Sequence, residues 1–251
     1  MKKRKSLIAG NWKMNKTPKE SIDFVTQLVK NLKKYDDREV LVCPPFTSLF
    51  PISNILENSP VKIGAQNLYF EDEGAFTGEV SGKMLKEIGV EYVICGHSER
   101  RNIFGETDEI INKKIKKVVE YKMKPILCIG EKLEEREKGE TFKVIENQLK
   151  KSLENFDGIE KLVIAYEPVW AIGTGKNATP SQAEEVHIFI REYFKKHYSE
   201  EISENLIILY GGSVNPNNID SLMAEKNIDG VLVGGASLKL DSFLRIVDFQ
   251  E

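Results

Sequence analysis

Several patterns that mark particular protein classes are missing or scarce in this sequence. No apolar run approaches the ~18 residues of a membrane-spanning helix, so the sequence predicts no span. The three cysteines, Cys43, Cys95 and Cys128, form no Cys-x-x-Cys pair, which argues against a zinc site or a disulfide scaffold. Each of them ends an apolar run, and we therefore expect three small, buried, reduced thiols.

A large excess of charge of one sign is also missing. Thirty-six Lys and Arg against 39 Asp and Glu give a formal net charge of −3, which gives no reason to expect general binding to nucleic acid. Hydrophobic residues at 41% and charged residues at 30% are typical of a globular chain. The basic residues 2–5 precede too few apolar residues for a secretory signal. They could be a nuclear address, but we interpret them as a solvated tail and expect a cytoplasmic protein.

Eight short apolar runs recur along the chain. They are continuous rather than alternating, which indicates strands buried on both faces, as in a parallel sheet. Charged, amphipathic segments of helical length lie between them. The runs cover residues 7–10, 40–43, 61–65, 92–95, 125–129, 162–166, 206–210 and 230–233.

Local signals mark where several helices begin and end. Residues 17–20 and 179–182 each place Thr and Pro before a Glu or Gln, the pattern of a capping box with proline at the first helical position. Gly89 stands where a glycine would end a helix. The charge runs 113–117 and 134–140 are expected on solvated helix faces.

Eight strand-then-helix units in about 250 residues predict the α/β class and a (β/α)8 barrel, with eight parallel strands and outer helices. We expect this barrel to be a single domain over residues 1–251. The alternative is a doubly wound open sheet, which usually carries a glycine-rich turn after its first strand. Here the first run is followed by Asn11, Trp12 and Lys13 instead.

In such a barrel the chemistry lies at the carboxyl ends of the strands. One amine, one imidazole, several carboxylates and two glycine pairs fall at these ends, and a single histidine disfavours a metal site. The residues are Asn11, Lys13, Gln66, His97, Ser98, Glu99, Gly130, Glu131, Glu167, Pro168, Gly211, Gly212, Ser213, Gly234 and Gly235. The two glycine pairs favour an anion site over mere tight turns, because loops after the last two barrel strands often bind phosphate through backbone N–H groups.

A glycine-rich segment follows the sixth run. Residues 173–178 fit a loose dinucleotide-binding pattern, but they do not directly join a strand to a helix, and the Walker A pattern fails. We interpret residues 168–179 as a long loop over the barrel mouth, of the length that often forms a lid.

Several longer motifs resemble the triosephosphate isomerase family, over about residues 9–238, which is almost the whole chain. They are Gly10-Asn11-Trp12-Lys13-Met14-Asn15, Gly74-Ala75-Phe76-Thr77-Gly78-Glu79, Gly96-His97-Ser98-Glu99-Arg100-Arg101, Ala165-Tyr166-Glu167-Pro168-Val169-Trp170-Ala171-Ile172-Gly173-Thr174-Gly175, Tyr210-Gly211-Gly212-Ser213-Val214 and Val233-Gly234-Gly235-Ala236. The resemblance implies a TIM barrel without metal or cofactor that interconverts dihydroxyacetone phosphate and D-glyceraldehyde 3-phosphate, a step of glycolysis and gluconeogenesis.

The resemblance also implies a role for each matching residue. Glu167 is the expected base that moves a proton between two carbons, and His97 is the electrophile, a neutral imidazole. Lys13 provides positive charge for the substrate phosphate and the developing oxyanion. Asn11 contacts the substrate and positions the site, and Glu99 supports Lys13.

The resemblance further implies a phosphate-binding site and a lid loop. Backbone N–H groups of Gly173, Ser213, Gly234 and Gly235 are expected to hold the phosphate. The lid residues are Pro168, Val169, Trp170, Ala171, Ile172, Gly173, Thr174, Gly175 and Lys176. Tyr210 and Ser213 are expected to latch the closed lid, and Glu131 to hold Trp170 when the lid is open. Asn177, at the far hinge, departs from the usual Thr or Val.

A homodimer is implied as well. The stretch from Gln66 to Val80 is long for a connection and carries three aromatics, Tyr69, Phe70 and Phe76. In the family this loop enters the partner subunit, where Thr77 touches the partner's Asn11.

Two other classes remain open from the residues themselves. Another phospho-sugar barrel enzyme, an aldolase or an epimerase, would share the fold, and a Schiff-base aldolase would need a reactive lysine on a strand. A non-catalytic phosphate-binding barrel would have broken site residues, whereas Asn11, Lys13, His97 and Glu167 are all present. His187 and His197 lie on a predicted helix and are expected to be structural.

Overall fold

The computed structural model describes residues 4–171 and 178–250. Eight parallel strands form a closed barrel in chain order, and β8 pairs with β1. The strands are β1 (Ser6–Asn11), β2 (Arg38–Cys43), β3 (Val61–Ala65), β4 (Tyr92–Cys95), β5 (Lys124–Ile129), β6 (Val163–Tyr166), β7 (Ile207–Tyr210) and β8 (Gly230–Val233). All eight apolar runs are therefore strands, with ends shifted by two residues or fewer, and the predicted (β/α)8 barrel is confirmed over the open sheet.

Helices surround this barrel in the described part of the chain. They are α1 (Pro18–Asn31), α2 (Phe46–Leu56), α3 (Gly82–Glu87), α4 (Ser98–Asn102), α5 (Asp108–Glu120), α6 (Leu133–Glu137), α7 (Thr141–Ser152), α8 (Pro180–His197), α9 (Glu200–Asn205), α10 (Ile219–Met223) and α11 (Leu240–Val247). Short 3-10 turns cover Ile159–Lys161, Val169–Ala171 and Gly235–Leu238. None of the helices within residues 4–171 and 178–250 is long and apolar enough to cross a membrane.

The barrel has two hydrophobic cores because both faces of each strand are covered. One core fills the barrel interior and includes Leu7, Ala9 and Leu41. The other lies between the strands and the helices, and Ile8 and Val40 belong to it. Successive strand residues thus enter different cores, which explains why the runs are continuously apolar.

The predicted helix signals are confirmed. Thr17 and Glu20 form a capping box at the start of α1, and Thr179 and Gln182 form another at the start of α8. Gly89 follows the end of α3 with φ +77°, in the left-handed region that glycine adopts without a steric penalty.

The predicted solvation of one charge run is wrong at Lys114. Lys113 is exposed, but Lys114 is only 3% exposed, and its ammonium donates to Asn67 Oδ1 at 2.6 Å and to the Glu106 carboxylate. A buried ammonium needs such partners. The other run, residues 134–140, is exposed or half-buried as expected, although its helix, α6, ends at Glu137.

The three thiols are buried and free, as predicted. Burial disfavours the thiolate and so raises the pKa of Cys43, Cys95 and Cys128, that of Cys95 to about 12.

A buried carboxylate ties the barrel to its outer layer at the amino end of β8. Asp229 is fully buried, and its Oδ2 accepts hydrogen bonds from Arg191 Nη2 at 2.7 Å and from the Ile208 N–H at 3.0 Å. Its Oδ1 accepts from Arg4 Nε at 2.6 Å. Two arginines from distant parts of the sequence therefore depend on one carboxylate.

We expect Asp229→Asn to lower the free energy of unfolding by about 3–5 kcal/mol, because it leaves the buried Arg191 guanidinium without its counter-charge. Urea unfolding followed by circular dichroism measures this loss. Asp23→Asn is the matched control, since Asp23 pairs with Lys19 at 3.0 Å on an exposed helix face, and it should cost less than about 1 kcal/mol. Equal losses in the two variants would contradict the prediction.

Candidate active site

The strand-end residues meet at one mouth of the barrel, around a pocket of about 400 Å³. Four of the five predicted catalytic residues and three of the four predicted phosphate donors line it. These are Asn11, Lys13, His97, Glu167, Ser213, Gly234 and Gly235. Glu99 lines an adjacent cavity with Lys13. The predicted donor Gly173 and the lid residues Ile172, Thr174, Gly175 and Lys176 lie outside the described residues, as does Asn177.

Lys13 has an unusual backbone that two side chains hold. Its φ is +53°, in the left-handed region that costs a non-glycine residue about 1–3 kcal/mol. Asn11 Oδ1 accepts from the Lys13 N–H at 3.0 Å, and Gln66 Nε2 donates to the Lys13 carbonyl at 2.8 Å. The ammonium pairs with Glu99 Oε1 at 2.5 Å. The strained turn after β1 therefore holds the amine at the pocket.

His97 caps the short helix α4, and this cap fixes its ring. The ring nitrogen Nδ1 accepts a hydrogen bond from the Glu99 N–H at 3.2 Å. A nitrogen that accepts in this way carries no proton, so the ring proton belongs on Nε2. Nε2 lies 3.1 Å from Glu167 Oε1. The imidazole is therefore oriented to donate toward the pocket.

Glu167 directly follows β6 and is only 2% exposed. Its Oε2 accepts from the Ser98 N–H at 2.8 Å, while Oε1 faces His97. Its own N–H donates to the Ile129 carbonyl at 2.7 Å, which extends the β5–β6 pairing by one bond. A carboxylate with so little water around it and one oxygen beside an imidazole is placed for proton transfer.

The first part of the predicted lid is attached to a second buried carboxylate. Glu131 is fully buried and accepts from Trp170 Nε1 at 2.9 Å and from the Tyr166 hydroxyl at 3.1 Å. Its carbonyl accepts from the Val169 N–H at 3.1 Å. The structure thus places Trp170 against the residue that the sequence predicted as its holder.

The glycine pairs form the opposite side of the pocket, after β7 and β8. A Cβ at Gly212 would lie 2.3 Å from the Tyr210 hydroxyl oxygen, so any other residue there would have to displace this buried ring. A Cβ at Gly234 would lie 3.6 Å from Lys13 Cε, which places the amine beside this glycine pair. Asn218 Nδ2 donates to the Ser213 carbonyl at 2.9 Å and shapes the loop. The two glycine pairs and Lys13 therefore line the same pocket.

Within residues 4–171 and 178–250, no cluster of three or more His, Cys, Asp or Glu side chains could hold a metal ion. His187 is fully buried on α8, with Nδ1 3.0 Å from the Asn227 carbonyl, and His197 is the last residue of that helix.

Acid–base side chains and two glycine pairs that line one pocket, at the mouth of a closed (β/α)8 barrel, are typical of barrel isomerases and lyases that act on small phosphorylated substrates. The sequence profile of the triosephosphate isomerase family matches residues 6–250. The chain belongs to the triosephosphate isomerase family and is an isomerase. The match confirms the resemblance read from the motifs and disfavours the aldolase, epimerase and non-catalytic alternatives.

Similar proteins named triosephosphate isomerase occur in several bacteria. The one from Carboxydothermus hydrogenoformans is 57% identical over 97% of this chain and 98% of its own length. That from Alkaliphilus metalliredigens is 53% identical over 98% of this chain and its full length. That from Dictyoglomus turgidum is 52% identical over 97% of this chain and 99% of its own length.

Two supporting residues, Gln66 and Asn218, have no role that the sequence alone predicts. Gln66 follows β3, so its strand-end position was a signal, but its bond to the Lys13 carbonyl depends on a contact between distant strands. Asn218 lies on the loop after β7 and gave no signal of its own.

We expect the stability of the protein to fall between about pH 10 and pH 12, partly because of Tyr210. Burial raises the pKa of Tyr210 to about 12, against an ordinary value near 10. The stability that comes from the neutral phenol is complete below pH 10 and is lost as the pH rises through 12. Urea unfolding at pH 9 and pH 12 should show a loss smaller by about 2 kcal/mol in Tyr210→Phe. An identical loss in both proteins would contradict the assignment.

Proposed function

We propose that this isomerase interconverts dihydroxyacetone phosphate and D-glyceraldehyde 3-phosphate through an enediol(ate). The observation that carries the proposal is the buried carboxylate of Glu167 beside Nε2 of His97, in a pocket whose other side holds Lys13 and two glycine pairs. The reaction needs a base, an electrophile for the carbonyl oxygen, and a site for a phosphate dianion. Each need has a group in this pocket.

Glu167 acts as the base. It removes a carbon-bound proton from one carbon and returns it to the neighbouring carbon, and its two oxygens serve the two carbons with little movement. Its position supports this role, because the carboxylate is only 2% exposed, with Oε2 held by the Ser98 N–H and Oε1 3.1 Å from His97 Nε2.

His97 and Lys13 stabilise the charge that develops on the carbonyl oxygen. The Nε2 proton of His97 is the donor, and the bond from the Glu99 N–H to Nδ1 supports a neutral ring in this orientation. The Lys13 ammonium serves the oxyanion and the phosphate together, while Glu99 holds it at 2.5 Å. Asn11 contacts the substrate and keeps the strained Lys13 backbone in place.

Backbone N–H groups of Ser213, Gly234 and Gly235, together with Gly173, bind the phosphate. Glycine lets the backbone approach the anion closely. The lid from Pro168 to Lys176 covers the enediolate, excludes water and prevents loss of phosphate from the intermediate. Tyr210 and Ser213 latch it, and the bond between Trp170 and Glu131 supports the proposed anchoring of its first part.

The working form is a homodimer. The tip of the loop from Gln66 to Val80 is exposed, including Thr77. A cavity of about 290 Å³ beside Lys13 has apolar walls that include Met14 and Phe104, which are 95% and 67% exposed. An exposed loop tip and an exposed apolar cavity on the same chain are complementary in a symmetric pair, in which the loop of one subunit covers the cavity of the other.

The protein is further proposed to be one domain over residues 1–251 that works in the cytoplasm, in glycolysis and gluconeogenesis, without metal or cofactor. The acid–base groups described above supply every step of the isomerisation.

Glu167→Gln should lower kcat by about 10²- to 10⁴-fold or more, because the side-chain amide cannot accept the proton from carbon. A coupled isomerase assay measures kcat, and circular dichroism shows whether the fold is kept. Glu160→Gln, an exposed carboxylate on the 3-10 turn before β6, is the matched control and should keep full turnover. Full turnover in Glu167→Gln would remove Glu167 as the base.

Thr77→Arg should shift the protein from dimer to monomer, because it places a large cation at the loop tip proposed to enter the partner. Light scattering after size exclusion should give the native protein twice the mass of one chain and the variant a single mass. Gln27→Arg adds the same group to an exposed position of α1 and should stay dimeric. A dimeric Thr77→Arg, or a monomeric native protein, would contradict the proposed interface.

A further inference from the structure

A side chain on the outside of the barrel holds the backbone next to the proposed base. Gln148 lies on α7 and does not line the pocket of His97 and Glu167. Its Oε1 accepts from the Gly130 N–H at 2.8 Å, and its Nε2 donates to the Gly130 carbonyl at 3.1 Å. One amide thus pairs both backbone groups of a buried residue, and buried backbone groups need such partners.

Just beyond β5 and β6, backbone hydrogen bonds continue the pairing of the two strands through residues 129–131 and 167–169, and we call this part the seam. Gly130 lies in its middle. On one side of it the Glu167 N–H donates to the Ile129 carbonyl at 2.7 Å, and on the other the Val169 N–H donates to the Glu131 carbonyl at 3.1 Å. The backbone groups of Gly130 itself bond to Gln148 instead. Helix α7 therefore fixes the centre of the seam that carries the base.

The backbone of Gly130 packs directly on that of Glu167. A Cβ at position 130 would lie 1.7 Å from the Glu167 carbonyl oxygen, so the two backbones leave no space between them. A displacement of Gly130 toward Glu167 must therefore displace Glu167. It also moves the next residue, Glu131, which accepts the hydrogen bond from Trp170.

Packing alone does not fix this part of the seam. A cavity of about 260 Å³ lies beside it, and its walls include Ser98, Gly130, Gln148, Glu167 and Val169. Because the cavity leaves room for the backbone to shift away from Glu167, Gly130 depends on the two hydrogen bonds of the Gln148 amide, together with the flanking bonds of Ile129 and Glu131, to keep its place.

We propose that Gln148 is a positioning residue for the isomerisation: by holding Gly130, it sets the place of the Glu167 carboxylate relative to His97. The proposal rests on the proposed role of Glu167 as the base. Gln148 acts only through the backbone and touches no substrate. The phosphate donors Ser213 and Gly234 follow β7 and β8, so substrate binding depends on other elements.

The test compares Gln148→Leu, which keeps the size and removes both hydrogen bonds, with Asn147→Leu at the exposed neighbouring position. We expect kcat of Gln148→Leu to fall about 10- to 100-fold, the scale of a small misplacement of a catalytic group. KM and the inhibition constant of inorganic phosphate should stay within about twofold of the native values. Asn147→Leu should match the native protein in all three.

A second variant, Gln148→Glu, tests the hydrogen bonds themselves and keeps the proposal testable if Gln148→Leu does not fold. A protonated carboxyl group accepts from an N–H and donates to a carbonyl as the amide does, whereas a carboxylate cannot donate. We therefore expect its kcat, relative to the native protein, to rise as the pH is lowered from 8 toward the ordinary glutamate pKa of about 4.3. A purely structural role would leave this ratio constant.

Two results would overturn the positioning role while the base assignment stands. One is an unchanged kcat in folded Gln148→Leu when Glu167→Gln is inactive. The other is a loss of phosphate binding that equals the loss of kcat, which would indicate general damage to the pocket. Full activity of Glu167→Gln would instead remove the base, and with it the reason for positioning.

Discussion

The hydrogen bonds that join β8 to β1 are the constraint on which the rest of this structure depends. Because the sheet closes, every strand has a neighbour on both sides, and each strand must bury both its faces. The interior core and the outer core follow from that requirement. Closure also brings all eight carboxyl ends to one mouth, so Asn11 and Gly235, from opposite ends of the chain, line the same pocket.

At that mouth, charged groups are held by partners rather than surrounded by water. Glu167 and Glu131 are both buried, and each faces fixed N–H or O–H donors. Lys13 sits on a strained backbone that Asn11 and Gln66 hold from either side. Such groups need little rearrangement when charge develops on a substrate, which is the main electrostatic advantage of a preformed site. The net charge of −3 therefore says little about the ligand, because the positive charge that matters is local.

The sequence predicts the fold well because its signals are local or periodic. Continuous apolar runs mark buried strands, and a capping box such as that of Thr17 lies within four residues. Strand ends then predict which side chains share the mouth. The sequence does not predict Lys114 as buried, nor the bonds of Gln66 and Gln148, because each involves a partner 18 to 53 residues away along the chain. A bond from a side chain to a distant backbone group leaves no pattern of spacing, so such supports are visible only in three dimensions.

The burial of Cys43, Cys95 and Cys128 has a practical consequence. All three thiols are shielded from solvent, and their raised pKa values keep them protonated at neutral pH. A single cysteine introduced at an exposed position would therefore be the one site that a maleimide dye or spin label reaches in the folded protein. Distances and motions around the barrel mouth are thus open to spectroscopy without first removing any native residue.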